Sequence, residues 1–63
     1  MDVAGVRAVH DSGCAKRVDG QLVDITTAGM LIAVHDALNE KNQAHFASMP
    51  LVKAVTIGWK LVK

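Results

Sequence analysis

The sequence predicts a mainly α-helical (α+β) domain with a short N-terminal helix, a two-stranded β-hairpin and then a three-helix C-terminal portion. Apolar residues recur at helical spacing in several stretches, which predicts amphipathic helices. An Asp19-Gly20 pair separates two short apolar runs, which predicts a hairpin. With 63 residues, the chain is long enough for one domain, which we take to span residues 1–63.

The N-terminal helix is predicted over residues 3–11. Asp2 is a suitable N-cap, because its carboxylate can accept hydrogen bonds from the first free backbone N–H groups. Gly13 suits the left-handed conformation that commonly ends a helix. A helix shorter than about 12 residues is marginal in water, so we expect this one to dock on the remainder of the chain.

The hairpin is predicted over about residues 14–25. The Asp-Gly pair favours a type I′ turn, which needs positive φ at both central residues. A two-residue loop sets the register as Val18–Gln21, Lys16–Val23 and Cys14–Ile25. Because side chains alternate along a strand, we expect one inward face formed by Cys14, Val18, Val23 and Ile25.

Three helices are predicted in the C-terminal portion. The first begins after a cap at Thr26 or Thr27 and runs to about Leu38, and its wide apolar surface predicts a central helix buried on more than one side. The second begins after the cap Asn39 and ends near residue 48. The third runs from Pro50, which suits a first helical position, towards residue 63.

The last helix carries two distinct faces. The apolar stripe has coiled-coil spacing and consists of Val52, Val55, Trp59 and Val62. The lysine face opposite consists of Lys53, Thr56, Lys60 and Lys63. The apolar stripe predicts a protein interface between two copies, with Trp59 as its anchor; the alternative is that it packs on the central helix within one chain.

Composition favours association. Hydrophobic residues make up 51% of the chain, yet Phe46 and Trp59 are its only aromatic residues. A domain of this size buries only about 60% of the surface that its unfolded chain exposes, and small domains commonly need a staple or a partner. Cys14 is the single cysteine, so an intrachain disulfide is excluded. We therefore expect an exposed apolar patch and a homodimer.

Enzyme chemistry is not predicted. The four N/S ligands for a metal would be His10, Cys14, His35 and His45, but they lie on three separate elements and lack the paired spacings of zinc sites. Cys14 follows a helix C-terminus, whose negative end disfavours a thiolate, and the strand pattern directs it inward as a small hydrophobe. No glycine-rich phosphate loop occurs. We predict no catalytic, metal or cofactor site and no small-molecule substrate.

Charge is segregated along the chain, which raises an alternative function. All six acidic residues lie within residues 1–40, and residues 41–63 hold four lysines and no acid. Residues 42–63 also have the helix–turn–helix order of a DNA-binding regulator, with the lysine face towards DNA. Against this, no arginine follows Arg17 and the net charge is only +1, whereas nucleic-acid domains are typically basic.

The sequence shows no pattern that predicts secretion or membrane insertion. A signal peptide is absent, and the longest uncharged apolar run, residues 25–34, is too short for a bilayer, which needs about 20 residues. We expect a cytoplasmic protein without a membrane partner. The apolar excess and the missing catalytic groups predict a small, non-enzymatic protein-interaction module, and its size suits an accessory protein of bacterial, phage or plasmid type. Another protein is the expected partner besides a second copy, and DNA is the alternative.

Overall fold

A computed structural model describes residues 1–62, which form four helices and one β-hairpin. In chain order the elements are α1 (Val3–Ser12), β1 (Lys16–Val18), β2 (Gln21–Val23), α2 (Ile25–Ala37), α3 (Glu40–Ser48) and α4 (Leu51–Leu61). The predicted mainly α fold, with the hairpin between the first and second helices, is confirmed. Lys63, which we placed in the last helix and on the lysine face, lies outside the described residues.

The ends of α1 follow the predicted capping. The Asp2 carboxylate accepts a hydrogen bond of 3.0 Å from the Gly5 N–H. Gly13 has a φ of 68° and donates its N–H to the Val9 carbonyl, which closes the last turn. The Asp2 N–H also donates to the Asp19 carboxylate at 3.0 Å, so the start of α1 is tied to the tip of the hairpin.

The hairpin has the predicted turn and register. Asp19 and Gly20 have φ angles of 50° and 77°, as a type I′ turn requires. Val18 pairs with Gln21, and Lys16 pairs with Val23. Val18 and Val23 are buried on the inner face, as predicted.

The strands are shorter than predicted. Cys14 precedes β1 and is exposed, and Ile25 is the first residue of α2 and 44% exposed, so their predicted pairing on the inward face is wrong. The cause is Asp24, whose carboxylate accepts a hydrogen bond of 2.6 Å from the Thr27 N–H. Asp24 is therefore the N-cap of α2, in place of the predicted Thr26 or Thr27, and it ends the strand before Ile25.

The central position predicted for the first helix of the C-terminal portion is confirmed, because α2 packs against α1, α3 and α4. Its residues Ala28, Met30, Leu31 and Val34 are buried. The exposed area of 3953 Å² is close to the roughly 3,900 Å² expected for a compact monomer of this mass. The chain is therefore as compact as a folded monomer of its mass, and a loosely packed core does not account for the apolar side chains at its surface.

The ends of α3 are held by hydrogen bonds, and the bounds of α4 differ slightly from the prediction. Asn39 caps α3 by accepting a hydrogen bond of 2.9 Å from the Asn42 N–H, as predicted. The Met1 ammonium group donates to the carbonyls of Ala47 and Met49 at 2.7 and 2.6 Å, which stabilises the negative end of α3. Pro50 is the residue before α4 and not its first helical residue, and α4 ends at Leu61, before the predicted end near residue 63.

Candidate interaction surface

The apolar stripe lies largely on the solvent side of α4. The helix packs on α2, and its buried residues are Leu51, Ala54 and Gly58. Gly58 permits the close approach, because a Cβ atom there would collide with the Met30 sulfur. Because these residues form the buried side of α4, the apolar stripe lies on one flank of the helix.

Three of the four stripe residues are exposed. Val52 is 60%, Val62 49% and Trp59 39% exposed, whereas Val55 is half-buried against the core. The alternative that the whole stripe packs on the central helix within one chain therefore does not describe this fold. The stripe is available for contact with another molecule.

A groove of about 250 Å³ runs between β2 and the N-terminal half of α4. It is lined by Gln21, Leu22, Val23, Thr27, Leu51, Val52, Val55 and Thr56. We call it the β2–α4 groove. Leu22 reaches it with 70% of its side chain exposed, because the strand alternation that buries Val23 turns Leu22 outward. Two stripe residues, Val52 and Val55, thus share an apolar surface with the hairpin.

A second groove of about 260 Å³ lies between the C-terminal halves of α2 and α4. It is lined by Ala33, Val34, Ala37, Leu38, Leu61 and Val62. The predicted stripe is therefore divided, because Val62 belongs to this second groove while Val52 and Val55 belong to the first. Trp59 lies on α4 between the two ends of the stripe.

The exposed large apolar side chains are concentrated on α4. They are Leu22, Ile25, Val52, Trp59, Leu61 and Val62. Leu22 and Leu61 were not among the interface residues predicted from the sequence. The alternation in the hairpin would have identified Leu22 as outward-facing, but a single leucine on a short strand carries no signal that it adjoins α4.

The lysine face is exposed where the structure describes it. Lys53, Thr56 and Lys60 all face solvent, and within residues 1–62 neither lysine forms an ion pair. The Thr56 hydroxyl donates a hydrogen bond of 3.0 Å to the Val52 carbonyl, so it is engaged with its own helix. The lysine face therefore offers two positive charges without an acidic neighbour on α3 after Glu40 or on α4.

Two carboxyl groups have lowered pKa values, and both lie away from the apolar stripe and the lysine face. The His35 ring lies 3.1 Å from the Asp36 carboxylate and, together with the Arg7 guanidinium at 2.6 Å, keeps the pKa of Asp36 below its ordinary value. The Thr27 N–H lowers the pKa of the capping Asp24 carboxyl. The first cluster links α1 to α2 and the second caps α2, so both have structural explanations.

The residues considered for metal or thiol chemistry remain apart. Among residues 1–62, no group of three or more His, Cys, Asp or Glu side chains could hold a metal ion. Cys14 is exposed, which corrects the prediction that it is a buried hydrophobe. Its backbone N–H donates to the Ser12 hydroxyl at 3.3 Å, and these contacts fix the loop after α1. No helix within the described residues is long and apolar enough to cross a membrane.

Comparisons with protein-family models, curated proteins and solved structures give no significant match.

Proposed function

We propose that this chain is a small, non-enzymatic protein-interaction module that works in the cytoplasm as a homodimer. The observation that carries the proposal is the exposure of Leu22 and Val52, at 70% and 60%, along one groove of an otherwise closed fold. Large apolar side chains that adjoin each other at the surface commonly mark a protein interface. Leu22 and the apolar stripe of α4 together form the proposed contact surface.

A second copy is the partner that this surface fits best. Small domains gain stability by association, and two-fold dimers are the commonest oligomers. In such a dimer each exposed apolar residue occurs twice in the interface, once from each copy. A small patch on one chain therefore contributes twice to the free energy of association. Trp59 is the natural anchor, because tryptophan is enriched among the residues that dominate binding energy.

Trp59 also provides the test, because it is the only tryptophan in the chain. Its fluorescence maximum should move to shorter wavelength as the protein concentration rises, because dimerisation removes the indole ring from water. A Val52→Asp variant should lose this shift, since a charge would be buried in the interface. The matched control, Lys53→Asp, should keep it. An emission maximum that is independent of concentration up to about 1 mM, corresponding to binding weaker than about −4 kcal/mol, would contradict the proposal.

The second candidate function is a DNA-binding regulator that uses residues 42–63. Lys53 and Lys60 favour it, because both are exposed and neither forms an ion pair within residues 1–62, as does the short connection through Met49 and Pro50 between α3 and α4. Thr56 and Lys63 complete the predicted contact set. Lysines without arginine contact phosphates more readily than they read bases, so the expected binding has little sequence preference.

Its test is binding to random duplex DNA at low and moderate salt. Replacing both Lys53 and Lys60 with glutamate should abolish binding, and a single replacement should reduce the salt slope by about 0.9 for each lost phosphate contact. Lys16→Glu on the hairpin is the matched control, which should bind as the unmodified chain does. If the double variant still binds DNA, this candidate function is wrong.

A further inference from the structure

We propose that two copies of the chain join through the free edge of β2, so that their hairpins form one four-stranded antiparallel sheet. The two-fold axis passes beside Leu22. This inference rests on the proposed function, because it specifies how the proposed homodimer is assembled. The α4 stripe then closes over the added strand in the β2–α4 groove.

The hydrogen-bond register leaves Leu22 free to pair. Val18 and Gln21 close the two-residue turn and therefore exchange hydrogen bonds with each other. Because hydrogen-bonded and non-hydrogen-bonded pairs alternate in antiparallel strands, Leu22 belongs to the non-hydrogen-bonded pair with Arg17. Its N–H and C=O groups therefore point away from β1. In residues 1–62, no backbone hydrogen bond outside the hairpin involves Leu22.

This arrangement is self-complementary. Two antiparallel strands related by a two-fold axis can pair through one residue that donates to, and accepts from, its own copy. Leu22 is the residue of β2 with both groups directed outward, so the Leu22 N–H of each copy would meet the Leu22 carbonyl of the other. The exposed Leu22 side chains would then lie opposite each other and exclude water from this pair of hydrogen bonds.

The charges distinguish the two edges of the hairpin. β1 carries Lys16 and Arg17, and like charges would face each other if two β1 edges paired. Lysine and other charges on an edge strand are a common protection against such pairing. β2 consists of Gln21, Leu22 and Val23 and carries no charge. The edge that lacks this protection is the one that opens onto the β2–α4 groove.

The β2–α4 groove would supply the contact area that pairing of two three-residue strands lacks. Strand pairing alone would bury much less than the roughly 1,200 Å² of a specific interface. A strand placed along β2 would also contact Val52 and Val55, which line the opposite wall of the groove. Each copy contributes Val52 and Val55 to the interface, and the other residues of the apolar stripe add to the contact area. Val52 is 60% exposed without such a partner.

The test uses backbone methylation of the synthetic chain. A methyl group on the Leu22 nitrogen removes the outward donor, while the pairing of β2 with β1 does not use that donor. Two hydrogen bonds are lost per dimer, so the dissociation constant should rise about 5- to 150-fold. Methylation of the Arg17 nitrogen is the matched control, because that group lies at the equivalent position on the outer edge of β1. The control should dimerise as the unmodified chain does.

A second measurement needs no modification, in case methylation prevents folding. Amide hydrogen exchange at Leu22 should slow as the protein concentration rises, whereas exchange at Arg17 should not change with concentration. A mixture of labelled and unlabelled chains should also show an intermolecular contact between the α-protons of Gln21 and Val23. These two residues face each other when the pairing is centred on Leu22.

The outcomes separate this inference from the proposed function. Dimerisation that tolerates Leu22 methylation, with concentration-independent exchange at Leu22, would overturn the strand pairing and leave the homodimer intact. Sensitivity to Arg17 methylation alone would also overturn it, in favour of the β1 edge. An unmodified chain that stays monomeric would overturn both proposals. Binding of an extended peptide of another protein by such a monomer would not rescue either of them.

Discussion

Replacing Val52 with serine should weaken self-association strongly and leave the folded monomer nearly unchanged. Full burial of a valine side chain is worth about 1.5–3 kcal/mol. Because Val52 is 60% exposed in the single chain, its burial in the dimer should contribute about 1–2 kcal/mol per copy. A two-fold interface contains the residue twice, so the loss of about 2–4 kcal/mol should raise the dissociation constant about 30- to 1,000-fold.

The choice of serine isolates the apolar contact. Serine and valine have similar helix propensities, and exposed substitutions usually change the free energy of unfolding by less than about 0.5 kcal/mol. Lys53→Ser, one residue further along α4, is the control and should leave the dissociation constant unchanged. Sedimentation equilibrium measures both variants. A change below about threefold for Val52→Ser, or equal changes in both variants, would show that the Val52 contact does not drive association.

Three further predictions concern the stability of the fold. Leu31→Ala, at the fully buried centre of α2, should lower the free energy of unfolding by about 2–5 kcal/mol, and a thermal transition close to that of the unmodified chain would refute the central role of α2. Asn39→Ala should cost about 1 kcal/mol in chemical denaturation, whereas Asn39→Asp should retain the cap; equal losses would show that the cap is not the cause. Asp24 and Asp36 have folded-state pKa values below their ordinary value of 3.8, so their contribution to stability is complete above that pH and is lost as the pH falls through the lowered values. The melting temperature should therefore fall on acidification, and the double variant with asparagine at both positions should lose part of this dependence; an unchanged acid profile would contradict the assignment.

The helix ends and the hairpin turn could be predicted because their causes are local. Asp2 and Asn39 cap the helices that follow them through contacts with residues three positions away. Asp19-Gly20 defines the turn through its own backbone angles. The predicted cap of α2 at Thr26 or Thr27 is wrong, because Asp24 is also a capping residue type and its carboxylate accepts the Thr27 N–H.

The face of α4 that packs inward could not be predicted from periodicity. Val52, Val55 and Trp59 have the spacing of a helix seam, but Leu51, Ala54 and Gly58 have an equally regular spacing. The choice depends on how closely α2 and α4 approach. Gly58 lies against α2, because the Met30 side chain fills the space beside it. The apolar stripe is therefore left largely at the surface, where it forms the proposed contact.

The prediction that Cys14 faces inward is wrong, because Cys14 is exposed. Its spacing from Val18 fits the alternation of a strand, but the strand begins only at Lys16. The residues between Gly13 and Lys16 complete the reversal after α1 and are held by the contact of Cys14 with Ser12. Alternation in sequence identifies a strand face only where cross-strand pairing continues, and here the cap of α2 removes the partner.

The most direct test of the account is the mass of the unmodified chain in solution as a function of concentration. Sedimentation equilibrium should show a mass that rises from the 6.7 kDa of one chain to twice that value at high concentration. A mass that rises to this limit and no further would agree with a closed two-fold dimer. A mass that remains 6.7 kDa up to about 1 mM, where even a dissociation constant of that size would be detected, would contradict the homodimer and the sheet that we place across it.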